Sequence, residues 1–427
     1  MKDENDLYWL WLSACMGIAS KEFGKLICMI PDPYDIYRLS EEEIEQLDLK
    51  ERTKKNLCNK SLGNAYAILK YCKSAKVEII GYTDKKYPAR LRSIEDPPVL
   101  LYCKGKLPDM NAKLCIGMVG TRKMSEYGKQ TSYKISYELS AAGVCIVSGM
   151  ALGIDSVCAC GAIEGGGATV AVLGCGIARV YPKTHVPLSK AICAHGAVIT
   201  EYPPNEEPHG YNFPKRNRII SGLCQGVIVV EGVKGSGALI TSTKAVEQGR
   251  ELFALPGKVS ESNSYGPNKL IRNGANVVLC AEDIIDHYDF LYHDTFNLKA
   301  YSKAKKTSDI TEKSLSKYGV SAVCEAEISK SVAQTVANPE KASVVKTEIV
   351  TEKKEEKKTT EVKPDLSVLS GLDEGTRNVY EMLPDTLFTA DDIAAKGIAV
   401  YRVMTALTML EINGLITSVP GGSFKKL

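Results

Sequence analysis

Residues 213–222 read FPKRNRIISG. Lys215, Arg216 and Arg218 put three cations into four positions, with Asn217 among them, directly ahead of the apolar run GVIVVE at 226–231. Adjacent like charges raise one another's energy and call for an anion. A second pattern names the anion. Segments rich in glycine and hydroxyls recur at VGTRKMS (119–125), SGMALGID (148–155), LGCGIA (173–178), VKGSGALITS (233–242) and LPGK (255–258). Each follows an apolar run and precedes a helical one. Glycine lets a backbone N–H approach an oxygen closely, and a helix N-terminus favours negative charge. Gly120, Thr121, Ser148, Gly149, Gly174, Gly176, Ser236, Gly237 and Thr241 are therefore candidate phosphate contacts, with Arg122 as a further cation.

The same segments lack the parts that would transform a phosphate ligand. A dinucleotide fold needs G-x-G-x-x-G and an acid after the next strand. GCGIAR has two of the glycines, but Arg179 stands in place of the third. A nucleoside triphosphatase needs G-K-[ST] after its loop, and GVKGSGALIT has none. The five histidines (185, 195, 209, 287, 293) show no zinc spacing. Asp155 and Glu231 fit either of two roles, a general acid and base or a helix cap and loop tie. The reading is a phosphate binder without catalytic residues, cofactor or metal.

These segments need a scaffold. Apolar β-rich runs KLCIGMVGT, VCIVSG, ATVAVLG, AVITEYP, GVIVVEG and ELFALPG alternate with helical stretches at 125–143 and near 155–164, 184–195, 215–223 and 237–249. That alternation predicts a parallel sheet covered on both faces. In such sheets ligands sit beyond the carboxyl ends of the strands. The expected divisions are a helical domain over 1–74, the α/β core over 75–298, a charged disordered linker over 299–365 and a C-terminal domain over 366–427. In the first, a break at Met16-Gly17 and a cap at Ser40 fit a helical hairpin that meets a DNA phosphate, or simply a small helical module. The last reads as three helices and a hairpin, LITSVPGGSFKKL, the order of a winged helix. Its third helix carries Arg402 as its one cation beside Tyr401, Met404, Thr405, Thr408 and Glu411, a face suited to protein rather than to a phosphate.

Bulk composition is consistent with a local binding patch. With 54 Lys+Arg against 51 Asp+Glu, net charge is +3, too small for a long-range field. The 14 cysteines are scattered, as in a reduced cytosolic protein. The start MKDENDLYWLWL lacks a signal-peptide pattern, and no apolar run is long enough to span a membrane, so a cytoplasmic location is expected.

The ordered motifs MVGTR, SGMALGID, VLGCGIARVYP, ITEYPP, FPKRNRIISGL, VIVVEG, SGALIT and ALPG resemble the DNA-processing protein A family (DprA/Smf), and YPARLRSIEDPPVLLYCKG (87–105) resembles that family's lead-in to the core. The likeness spans about 80–280. It implies an α/β fold: an extended Rossmann-like core with a parallel-rich sheet, an N-terminal helical domain of sterile-alpha-motif or helix-hairpin-helix type, and a C-terminal winged helix. It implies binding of single-stranded DNA without cleavage, delivery of the strand to the recombinase RecA in natural transformation or recombination, and a homodimer through the core. FPKRNR becomes a wall of the strand's groove. Lys215 and Arg218 are expected at phosphates, and Asn217 at a base edge or the backbone. Phe213 is either a stacking platform or an inward-packed side chain. Arg216 is either a phosphate contact or the partner of Glu231 or Glu201. Departures from the family pattern at Leu152, Ala159, Ala178 and Gly210 are expected to remove polar contacts from the groove rim. The rival reading is a nucleoside monophosphate phosphoribohydrolase-like enzyme, whose P-G-G-x-G-T loop is absent from LPGKVSES.

Overall fold

The computed structural model describes residues 2–310, 312–320 and parts of 374–426. The chain opens with six helices, α1 (Lys2–Met16), α2 (Lys21–Met29), α3 (Pro33–Arg38), α4 (Glu41–Glu45), α5 (Glu51–Cys58) and α6 (Gly63–Ala75). The break after Met16 is a turn with Gly17 at φ +74°, a conformation glycine adopts without strain. Ser40 and Glu43 form a reciprocal capping box that starts α4.

The core follows as β1 (Glu78–Gly81), α7 (Ala89–Arg92), β2 (Leu100–Gly105), β3 (Cys115–Val119), α8 (Glu126–Ala141), β4 (Cys145–Ser148), α9 (Ile154–Glu164), β5 (Thr169–Val172), α10 (Val186–His195), β6 (Ala197–Thr200), α11 (Asn212–Leu223), β7 (Gly226–Val229), α12 (Gly237–Glu247), β8 (Glu251–Ala254), α13 (Tyr265–Arg272), β9 (Asn276–Val277) and α14 (Ala281–Tyr292). The strands form one nine-stranded sheet in the order β1-β2-β6-β5-β4-β3-β7-β8-β9. From β6 to β9 all neighbours are parallel, while β1 and β2 add an antiparallel end. Alternate residues of one strand enter opposite layers. Ile116 and Ile228 pack with α8 and α9, whereas Cys115, Val227 and Val229 pack with α7, α11 and α12. Both faces are covered, which is why these strands read as unbroken apolar runs. The antiparallel strands and β9 were not among the expected runs.

Chain order reverses between β3 and β7: β4, β5 and β6 lie to one side of β3, and β7, β8 and β9 to the other. A crevice opens at such a switch point, beyond the strands' carboxyl ends.

The expected linker is corrected at its start. α15 (Leu298–Ala304) and α16 (Glu312–Ser316) fold back onto the core. Tyr301, Ala304, Leu315 and Val320 are buried, the Ser308 hydroxyl donates to Glu138 Oε1 at 2.8 Å, and Lys317 pairs with Glu164 at 2.5 Å. A few well-spaced apolar residues suffice to seat these charged helices. The remainder of the expected linker lies outside the described residues.

The C-terminal unit has its own core around Val379, Leu383, Phe388, Leu407 and Leu410. It contains a helix at Glu374–Glu381 and an antiparallel hairpin pairing Ile416–Val419 with Ser423–Lys426. The face expected on its third helix lies largely outside the described residues. Among the described residues, no helix is long and apolar enough to cross a membrane.

Candidate functional site

A cleft of about 380 Å³ lies at the switch point. β3 supplies its floor through Val119 and Gly120. The loop to α8 supplies Thr121 and Arg122. α11 supplies Phe213, Arg216 and Asn217, α12 supplies Ser236, Gly237 and Thr241, and α9 contributes Asp155. The fold thus gathers nine of the fifteen sequence-chosen residues around one opening.

Three helices begin at this edge, and their N-termini are not equivalent. At α8, Ser125 caps the helix by accepting from Gly128 N at 3.0 Å. Its own N–H donates to Glu231 Oε2 at 3.0 Å, and its hydroxyl also donates to that carboxylate. Glu231 is buried and further held by Asn263, so it acts as a loop tie. Burial pushes its carboxyl up, opposed by the hydrogen bonds from Ser125 and Asn263. At α9, Ile154 N donates to Thr121 O at 3.2 Å, and Gly149 N donates to Asp155 Oδ2 at 3.1 Å. Burial also raises Asp155, while Arg216 and the amides of Ala151 and Gly149 pull it back. Both of those N-termini are occupied by the protein's own groups. At α12 no side chain caps the helix. The Ser236 hydroxyl is buried without a partner, and a Cβ on Gly237 would meet nothing within 4 Å. α12 is the end that an incoming oxygen can reach.

The cation cluster resolves into three different environments. Arg218 is a correction: it is not a phosphate contact. Its guanidinium lies 2.5 Å from Glu201 Oε2 and 3.3 Å from Asp96 Oδ2, and its side chain is 3% exposed. The required anion is inside the protein. Arg216 is buried as well, and neither Glu231 nor Glu201 is its partner. Its Nη1 donates to Gly149 O at 2.9 Å and to Val172 O, its Nε donates to Asn217 Oδ1 at 3.2 Å, and among the surrounding groups Asp155 most favours its charge. It borders the cleft from beneath, as a fixed positive wall. Lys215 alone is exposed, with Nζ 5.7 Å from the Tyr211 ring centroid, on the far side of the helix from Arg122. The cluster is helical, as expected for 215–223, and α11 begins earlier, at Asn212, so Phe213 is helical too.

Phe213 is half-buried. Arg122 and Arg216 lie 5.5 and 5.9 Å from its ring centroid, Tyr181 lies 5.6 Å away, and a Cβ on Gly174 would stand 2.8 Å from its Cδ1. The ring stands within cation–π reach of both guanidiniums, and Arg122 lies beside it at the mouth. Arg122 is exposed, and it is the cation this cleft offers to solvent.

Other chosen positions serve packing. The Ser148 hydroxyl donates to Met118 O at 2.8 Å. Gly149 leaves room for the Arg216 guanidinium, Gly176 for the carbonyls of Pro203 and Pro204, and Gly120 for Ile154, whose Cγ1 would lie 2.6 Å from an added Cβ. Thr241 is buried, with its hydroxyl on Gly237 O at 3.4 Å, and Asn217 Nδ2 donates to the same oxygen at 3.4 Å. These glycines were chosen for ligand approach, but the close approach is to other protein atoms. Ala159 is likewise buried within α9, not at a rim, whereas Leu152 is 45% exposed.

Two residues escaped the sequence reading. Tyr211 is 62% exposed and stacks on His209, with centroids 5.2 Å apart and planes at 8°. The string HGYNF contains that signal, since Tyr211 stands two positions ahead of Phe213. His185 is buried, with Nδ1 3.1 Å from Met150 O, and steadies the loop in which Met150 takes φ +53°. Burial lowers its pKa, opposed by the hydrogen bond with Met150. No sequence spacing ties it to that loop.

The chain matches the family model for DNA recombination-mediator protein A over residues 78–289 and the DprA winged helix domain over 364–422. It is 42% identical over 210 residues to DNA processing protein DprA of Bacillus subtilis, covering 49% of this chain and 71% of that one. It is 42% identical over 207 residues to DNA processing protein DprA of Streptococcus pneumoniae, covering 48% and 73%. The X-ray structure of DNA processing protein A from Streptococcus pneumoniae aligns with a TM-score of 0.58 and 33% identity, over 66% of this chain and 97% of that one.

Proposed function

The chain belongs to the DNA recombination-mediator protein A family, and on that premise we propose that it binds single-stranded DNA through the switch-point cleft and does not cleave it. The observation that carries this reading is the pairing at one mouth of the exposed Arg122 guanidinium with the uncapped start of α12, where Gly237 stands open and the Ser236 hydroxyl has no partner. A cation beside free helix amides suits a phosphodiester. The cleft is lined by the Thr121, Ser236 and Thr241 side chains, by glycine backbone and by the side chains of Arg122 and Phe213. A flexible strand can follow such a surface.

Chemistry on the strand is no part of the proposal. Asp155 and Glu231 are the buried carboxyls at the site, and each is engaged by backbone amides that fix a helix start. A general acid or base must reach its substrate. Following the family resemblance, the bound strand is handed to the recombinase RecA during natural transformation or recombination. The chain would act as a homodimer through the core. Support for the dimer comes from β9, the outermost strand of the sheet, and from Val277, Leu279, Phe290 and Leu291, which are 45 to 96% exposed.

A salt titration tests the site. Wild type and Arg122→Ala are compared for oligonucleotide binding by fluorescence anisotropy. One lost phosphate contact flattens the plot of log affinity against log salt by about 0.7. An unchanged slope and affinity would remove Arg122 from the site and the cleft from the proposal.

A further inference from the structure

A second cleft, of about 790 Å³, lies between the N-terminal helices and the core. The two openings share a partition. Gly210, Phe213 and Pro214 line the switch-point cleft, while Tyr211, Asn212 and Lys215 line the second. The partition is therefore the approach to α11 and its first turn, about 10–12 Å across with side chains. On its crest stands Tyr211, steadied by His209 and with Lys215 over its ring.

The opposite wall is built by α5. Glu22 accepts from Lys50 N at 2.7 Å and from the Thr53 hydroxyl at 2.8 Å, which fixes the start of that helix. Lys50 is the N-cap and Arg52 lies in the first turn, and both are exposed. The helix's partial positive charge repels cations at this end. Lys50, Arg52 and Lys215 have no ion-pair partner among the described residues, whereas Lys21 nearby is matched by Glu95 at 2.7 Å. The other acids at the cleft are Glu22, already engaged, and Glu206. Three unmatched cations thus face one opening, next to an exposed aromatic ring.

We propose that this second cleft continues the strand's path. A single strand held at Arg122 and α12 crosses the 210–215 turn, stacks a base on Tyr211 and lays its following phosphates against Lys215, Lys50 and Arg52. The proposal rests on the single-strand reading above and adds a second, separately mutable segment. It also gives the N-terminal helices a part in binding.

The test uses the full chain and oligo-dT of increasing length, from ~4 to ~16 nucleotides, the span of single-strand site sizes. Wild-type affinity should rise in a second step once the strand is long enough to cross the partition. Lys50→Gln combined with Arg52→Gln should bind the shortest strands as wild type does and lose that step. Its salt slope on long strands should be flatter by about 1.4, two contacts at about 0.7 each. Tyr211→Ala, a surface change on another element, should also spare short strands and weaken long ones by about fivefold or more, the lower range for one stacked base. If both variants keep the wild-type length dependence while Arg122→Ala weakens binding at every length, the path ends at the first cleft and this proposal is wrong. If wild type binds no oligonucleotide, the function proposed above fails and this inference fails with it.

Discussion

Replacing Arg218 by alanine should damage the fold and leave strand recognition intact. The guanidinium is 3% exposed and lies between Glu201, 4% exposed, and the partly exposed Asp96. Burial already pushes both carboxyls up, with Arg218 as the chief opposing influence. Deleting the cation leaves a buried carboxylate without compensation, a change that costs about 3–5 kcal/mol. At about 2–4 °C per kcal/mol for domains of a few hundred residues, the melting temperature should fall by roughly 6–20 °C. Urea or thermal denaturation measures the loss. A double-mutant cycle with Glu201→Gln should recover much of it, because an amide carries no charge to strand. Below the lowered melting point, oligonucleotide affinity should match wild type. If Arg218→Ala melts like wild type but binds oligonucleotides poorly, the assignment of Arg218 to the core is refuted and the original phosphate reading is restored.

Two further outcomes follow from the same structure. Asp155 has a carboxyl raised by burial, so the native state holds its proton to higher pH than the unfolded chain does. Its contribution is fully present below the ordinary aspartate pKa of about 3.9 and is lost as pH rises through the native value, about 1.4 kcal/mol per unit of elevation. The stability of wild type minus that of Asp155→Asn should therefore decline with rising pH across that window in denaturant titrations, and a difference that grows would reverse the assignment. Truncation near residue 365 removes the winged helix, whose hairpin supplies Lys425 and Lys426. Oligonucleotide affinity should change by less than tenfold, about 1.4 kcal/mol, and a larger loss would make that domain a DNA contact.

What the sequence disclosed follows burial geometry. β3, β4, β5 and β7 were legible because both faces are covered and nearly every position is apolar, Ser148 and Thr169 being the polar exceptions at strand ends. β9 was not, since Asn276 and Val277 are exposed at the sheet's end. α15 and α16 were hidden by their lysines, although Tyr301 and Leu315 are the residues that seat them. At the site, the glycine-rich loops correctly marked the carboxyl edge of the sheet. They did not reveal which helix ends were free, because the groups that occupy α8 and α9, Glu231 and Thr121, come from other loops. The cation cluster misled for the same reason. Its balancing acids, Asp96 and Glu201, lie on separate segments that only the fold brings to Arg218.

If the switch-point cleft takes a single strand, that preference should appear in solution. The most direct measurement is equilibrium binding of one labelled oligonucleotide, alone and annealed to its complement, to the full chain at a fixed salt concentration. Affinity for the single strand should be at least tenfold above that for the duplex, a difference of about 1.4 kcal/mol, with Arg122→Ala reducing the first and leaving the second unchanged. Equal affinity for the two forms, or a preference for the duplex, would contradict it.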